Sequence, residues 1–249
     1  MKILLILSTL FFGLSSFSAE YSPRGVGGGG AMAGYSISPY SNLRFVGTDM
    51  GTLFRSTDKG KTWVPVNQTQ VQYSSDLEVA ADVGFSADPQ VVFFANAGRD
   101  PKRSLDSGLT WQLVTLPLKE KERIRYWTED SKNKKIMLAG TTESLFVSRD
   151  QGDSWLRVPG IQGISRGTVV INEGSDSRIF HATDADIFVS ENKAGSFQKW
   201  FSPSGTQIRG FTGGAGHGLK DDPRAPCLPI APFQRVSLPG IAGPGNADG

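Results

Sequence analysis

Short apolar runs alternate with turn residues through the middle of the chain, and they come in groups of four. The first group is 33–38, 43–46, 52–55 and 62–66, and the third is 124–128, 136–139, 144–147 and 154–158. The second is anchored by 80–86 and 110–115, and the fourth by 168–172, 179–182 and 186–189. Val, Ile, Phe, Thr and Trp are frequent in these runs, as expected of strands on a pleated, half-buried surface. No stretch sustains an apolar period of 3.6, so no helix is predicted.

One box recurs after the third run. Ser56-Asp58-Gly60-Trp63, Ser104-Asp106-Gly108-Trp111 and Ser148-Asp150-Gly152-Trp155 share a single spacing. A worn copy places Ser190, Asn192, Ala194 and Phe197 at the same four positions. The Asp or Asn positions lie 48, 44 and 42 residues apart. A repeat of that length is the mark of a propeller or a similar array, and a four-stranded antiparallel meander is a propeller blade. The chain therefore reads as all-β: a β-propeller of four-stranded antiparallel blades, four of them recognisable, at about 30–67, 80–115, 122–158 and 166–200. The first strand of a fifth follows at 207–211, which points to an incomplete ring with unpaired edges.

The box has a physical task on the hairpin between the third and fourth strands. The carboxylate accepts backbone N–H groups inside a tight turn, Gly takes a positive φ there, and Trp buries its ring against the adjoining sheet. The box aspartates are accordingly read as structural. Ala194 in place of Gly should distort the fourth turn.

These boxes resemble Asp-box (BNR) repeats, which occur in sialidases, xyloglucanase-type glycoside hydrolases, sortilin-type receptors and photosystem assembly factors. The Gly27–Gly30 run, the strand after it and the segment from Phe45 through Thr48-Asp49-Met50-Gly51 to Arg55 are similar to the opening of xyloglucanase-type hydrolases. The resemblance implies that Asp49 is the catalytic base, on the face opposite the boxes. Inverting hydrolysis needs a second carboxyl group, which that family takes from a second propeller that this chain lacks. Glu143 and Asp184, in the matching turns of units three and four, are the candidate stand-ins. Tyr35, Tyr126 and Trp127, with Phe85, are candidates to stack on sugar faces, with core packing the expectation for at least half of them because strand faces alternate. The sialidase Phe-Arg-Ile-Pro motif is absent, which argues against that activity.

Composition narrows the partners. Twenty-six basic and 24 acidic residues give a net charge of +2, which offers no electrostatic case for nucleic acid. One Cys and two His argue against a disulfide framework or a His- or Cys-based metal site, and no cofactor is implied. Lys119, Lys121, Arg123, Arg125, Lys132, Lys134 and Lys135 interleave with Glu120, Glu122, Glu129 and Asp130, which reads as a solvated mixed-charge surface. His181 reads as a strand residue. The Gly60-Lys61-Thr62 segment lacks the rest of a phosphate-binding loop.

The two ends stand outside the pattern. Lys2 and the apolar run 3–14, followed by small residues to Ala19, read as a signal peptide (1–19) too short to span a bilayer, which needs roughly 20 apolar residues. The mature chain is then expected to be secreted or periplasmic. From 213 to 249 the 37 residues hold eight Gly and six Pro. That tail reads either as a disordered extension or as the place where a longer propeller lost its reading frame; Cys227 within it has no assigned role. The leading expectation is a secreted propeller related to glycoside hydrolases that binds glycans. The alternatives are a non-enzymatic module for an exported protein or envelope component, and an assembly factor.

Overall fold

The computed structural model describes residues 31–73, 83–173 and 176–212. The expected signal peptide (1–19), the Gly27–Gly30 run, residues 80–82 of a predicted strand and the Gly/Pro-rich tail with His217 and Cys227 lie outside the described residues.

Sixteen strands form four sheets, and no helix occurs among the described residues. Blade 1 is β1 (Met32–Ile37), β2 (Arg44–Thr48), β3 (Leu53–Ser56) and β4 (Val64–Pro65). Blade 2 is β5 (Gly84–Phe85), β6 (Val92–Asn96), β7 (Arg99–Ser104) and β8 (Gln112–Leu113). Blade 3 is β9 (Ile124–Glu129), β10 (Met137–Thr141), β11 (Leu145–Ser148) and β12 (Leu156–Arg157). Blade 4 is β13 (Ser165–Glu173), β14 (Asp176–Thr183), β15 (Ile187–Ser190) and β16 (Gln198–Phe201). Every sheet is an antiparallel meander in chain order, and the fold is a β-propeller architecture. The segment 207–211 carries no strand.

Burial follows position within the blade. The second strands β2, β6 and β10 are buried on nearly every residue, whereas β4, β8 and β16 are mostly exposed. A strand sandwiched between two neighbouring blades is covered on both faces, so it reads as a continuous apolar run. A fourth strand lies on the outer rim and needs no such run.

The blades meet through three apolar layers. Phe45 and Leu53 of blade 1 pack with Val92, Phe94 and Trp111 of blade 2. Phe93 and Ala95 then pack with Met137, Phe146 and Trp155 of blade 3. Leu138, Leu145 and Val147 pack with Ile179, Phe188 and Ala194 of blade 4. Phe180, Ala182 and Ile187, on the far face of blade 4, are covered by Ile208 and Phe211. The predicted fifth inner strand therefore packs where such a strand would, although its backbone is irregular.

The boxes close as tight turns. In the second, Ser104 Oγ donates to Asp106 Oδ1 at 2.7 Å and accepts Gly108 N at 2.8 Å. Asp106 Oδ1 also accepts Leu109 N at 3.0 Å and Thr110 N at 2.9 Å, and Oδ2 accepts Thr110 Oγ1 at 2.6 Å. Burial works against the Asp106 charge, but the bonds from Thr110, Ser104 and Leu109 outweigh it and hold the carboxyl down to about 2. Trp111 Nε1 donates back to Gly108 O at 3.2 Å. Asp58 and Asp150 repeat the arrangement. In the worn copy Ser196 N reaches Asn192 Oδ1 at 2.8 Å and Ala194 N reaches Ser190 Oγ at 3.1 Å. Ala194 adopts a φ of 62°. The turn thus keeps its shape, contrary to the distortion expected of Ala for Gly, because the hydrogen bonds over-determine it.

Candidate functional site

The turns between second and third strands lie on the face opposite the boxes, and a threonine heads three of them. Thr48 N donates to Thr52 O at 2.9 Å, Thr141 N to Ser144 O at 2.9 Å and Thr183 N to Asp186 O at 2.8 Å. Thr141 Oγ1 accepts Ser144 N at 2.8 Å, and Thr183 Oγ1 accepts Asp186 N at 3.0 Å. Each turn also receives the chain on its way to the next blade: Gly51 O accepts Tyr73 N, Glu143 O accepts Gly163 N and Asp184 O accepts Ile208 N.

Asp49 sits at the tip of the first of these turns, exposed beside Met50. Its backbone N–H is held by Ala31 O at 3.0 Å and Gly51 closes the turn at φ 85°. Among the described residues its carboxylate takes no hydrogen bond. The two candidate partners are on the same face but on blades 3 and 4, and both are engaged. Glu143 pairs with Lys119 Nζ at 2.6 Å. Asp184 Oδ1 accepts Ile164 N at 2.9 Å and so fixes the chain as it enters β13.

The aromatic candidates separate. Tyr35 is half exposed, with its ring centroid 6.2 Å from that of Trp63 and its hydroxyl accepting Arg44 Nη1 at 2.9 Å. Trp127 is packing material: its ring lies 5.2 Å from Phe93 and 5.6 Å from Trp155, and it covers Gly84 so closely that a Cβ there would stand 2.4 Å from its own Cβ. Tyr126 lies over Gly140 and binds Thr168 Oγ1 at 3.0 Å. Both rings face a neighbouring blade, which removes them as sugar platforms. Phe85 packs 6.3 Å from Phe45.

Two polar clusters escaped the sequence reading. Glu122 is fully buried, not solvated, and its charge is matched. Arg157 reaches it with Nη2 at 2.5 Å and Nη1 at 3.1 Å, while Thr141 Oγ1 and Ser144 Oγ donate at 2.5 and 3.0 Å. Burial pushes the Glu122 carboxyl upward, but Arg157 and then Thr141 outweigh it and leave it below its ordinary value. Asp130 is buried as well and accepts Ser177 Oγ at 3.0 Å, and Glu129 accepts the Tyr40 hydroxyl at 2.8 Å. The interleaved charges hid these roles, because nothing local marks which of them faces inward. The second cluster surrounds His181, a buried residue of β14. Its Nδ1 meets Thr168 Oγ1 at 2.9 Å and its Nε2 lies 3.4 Å from Ser165 Oγ. Desolvation lowers its pKa to about 3, so it is neutral in the fold.

Among the described residues no group of three or more His, Cys, Asp or Glu is placed to hold a metal ion. A cleft of about 300 Å³ between blades 1 and 2 is lined by Gln68, Gln72, Asn96, Asp100 and Lys102, among others.

No family model matches the chain. It is 26% identical over 169 residues to a xyloglucanase of Hypocrea jecorina, covering 66% of this chain and 19% of that protein. Among solved structures, the GH74 enzyme of Niastella koreensis matches with a TM-score of 0.56 at 14% identity, over 72% of this chain and 31% of the other. The GH74 xyloglucanase of Xanthomonas campestris matches with a TM-score of 0.53 at 19% identity, over 77% and 33%. The chain is thus related to xyloglucanase propellers, and it spans about a fifth of the length of the curated relative.

Proposed function

We propose that this chain is an exported glycan-binding propeller module, with its binding surface on the face of the second-to-third-strand turns. The observation that carries the reading is Asp49, an uncommitted, exposed carboxylate on that face in a chain related to a xyloglucanase. A carboxylate of this kind accepts hydrogen bonds from sugar hydroxyls. Hydrolysis by inversion asks for a second carboxyl group about 6.5–9.5 Å away. Glu143 is committed to Lys119 and Asp184 to a backbone N–H, so binding is favoured over turnover.

The test is calorimetric titration of xyloglucan and β-glucan oligosaccharides into the purified chain and its Asp49→Asn variant, with an assay for released reducing sugar. Measurable binding that weakens in Asp49→Asn at unchanged Tm, with little or no turnover, is the expected result. Robust turnover lost in Asp49→Asn would make the chain a hydrolase with Asp49 as its base. Absence of binding to every oligosaccharide would sink the glycan reading.

A further inference from the structure

The first strands of the blades carry an irregularity at one shared level. In β1 the pairing shifts between Ala33 and Tyr35, in β9 opposite Gly140 and Thr141, and in β13 between Ser165 and Gly167. Each shift leaves one residue as a bulge: Gly34, Arg125 and Arg166. A bulge re-aims its side chain away from the ladder, and bulges gather beside functional sites. All three lie next to the turn face that carries Asp49.

The strands β9 and β13 pack against each other, so two successive bulges place Arg125 and Arg166 on neighbouring strands, near enough for the charge of one to act on the other. Their setting is unusual for cations. Burial lowers the Arg125 pKa, and the charge of Arg166 lowers it further. Neither guanidinium forms an ion pair among the described residues. Arg166 Nε is buried and meets no acceptor. Two like charges drawn partly out of water, with no counter-charge among the described residues, oppose folding.

The surroundings hold the pair in place. The Tyr126 hydroxyl, next to Arg125, meets Thr168 Oγ1 across the blade boundary at 3.0 Å. Ser165, next to Arg166, donates Oγ to Ser144 O at 2.7 Å and accepts Thr141 N at 3.2 Å. Each arginine is therefore neighboured in sequence by a residue that ties blade 3 to blade 4, so the backbones that carry them are held together. A guanidinium offers the planar fork that matches a carboxylate.

We propose that Arg125 and Arg166 form an anion-binding subsite that takes the carboxylate of an acidic sugar. The proposal rests on the glycan-binding reading above and names the ligand class it prefers: a glycan bearing uronic acid units over a neutral one of the same length.

Titrate galacturonic acid oligomers, neutral oligomers of matched length, and acetate and phosphate alone into the purified chain and its Arg125→Gln and Arg166→Gln variants. The expected result is preference for the acidic oligomer, reduced about tenfold or more in each variant, the scale of one lost charge-assisted hydrogen bond. The variants' Tm should stay level or rise, because a repulsion is relieved; a merely structural arginine would lower it. Neutral oligomers bound as tightly as acidic ones, or acidic binding that survives both substitutions, would overturn the subsite while leaving glycan binding intact. Acetate or phosphate bound as tightly as the oligomer would mark an adventitious ion only, and would also overturn it. No binding of any oligosaccharide would remove both readings.

Discussion

The ring of Phe45 occupies the space that a side chain on Gly108 would need: a Cβ built on that glycine would stand 2.5 Å from Phe45 Cζ. The same relation recurs one blade on, where a Cβ on Gly152 would stand 2.4 Å from Phe93 Cε1. Phe45 pairs with Arg55 across the hairpin and Phe93 with Arg103. Leu138 pairs with Val147 at the matching place in blade 3. That smaller residue shares an apolar layer with Ala194, so the worn box carries its extra methyl where the opposing ring is missing.

This pairing predicts a rescue. Gly108→Ala should destabilise the fold by about 1–3 kcal/mol, from overpacking and from a positive φ that L-residues resist. Phe45→Leu in the same chain should recover part of that loss, so the two changes should be non-additive in a denaturant double-mutant cycle. Strict additivity would show that φ alone sets the cost.

Asp106→Ala should cost about 1–2 kcal/mol through loss of the turn acceptor. Because the folded carboxyl is held at about 2, its contribution is complete above about pH 4 and is lost as the pH falls toward 2. Chemical denaturation at pH 7 and pH 3 measures this: the gap between wild type and variant should be narrower at pH 3. Binding of any oligosaccharide at 25 °C should be unchanged. A variant of wild-type stability that binds nothing would instead give the box a functional role.

The box turns and the four four-stranded sheets were legible in the sequence because each is a local event, a turn or an apolar run, repeated in tandem; the strand expected at 207–211 is irregular instead. The links between blades were not. Arg55 donates Nε to Ser107 O and Arg103 donates Nη1 to Gln151 O, each reaching the box of the next blade. Arg149 makes a similar bond to Ala194 O from two residues further along, and its acceptor lies one residue further into the next box. Contacts that join residues 45 to 52 positions apart leave no local mark. Glu122 and Arg125 stand in text that reads as solvated because their neighbours are charged and exposed. Which charge turns inward is decided by the turn from Lys119 to Glu122 and by the register of β9 after it, which the apolar pattern does not reveal. Which of the inner-strand aromatics would pack against a neighbouring blade was open for a related reason: alternation along the strand does not say which face is the covered one, and Tyr126 and Trp127 prove to be covered.

Glu122→Ala should be among the most damaging single changes to this chain. It would leave Arg157 partly buried without its carboxylate and strip acceptors from Thr141 and Ser144. Removing one partner of a buried pair costs about 3–5 kcal/mol. Replacing both members with apolar residues of similar volume, as in Glu122→Leu with Arg157→Met, should recover much of the loss. Thermal melts of the single and double variants decide between an indispensable pair and a replaceable one.

His181 should set how stability responds to mild acid. Its imidazole is buried and neutral in the fold, with a pKa lowered by desolvation to about 3, whereas in the unfolded chain it titrates near 6.5. Between those values the unfolded state binds a proton that the native state refuses. Stability should therefore be complete above about pH 6.5 and decline as the pH falls toward 3, at up to about 1.4 kcal/mol per unit. The carboxylates of the boxes act lower, below about pH 4, so the window from pH 6.5 to 4.5 isolates the histidine. His181→Gln keeps an amide able to meet Thr168 and Ser165 and removes the titration. Urea midpoints across that window should fall for the wild type and stay level for the variant. Parallel slopes would show that the proton enters without opening the fold, and that the Thr168–His181–Ser165 network accommodates an imidazolium.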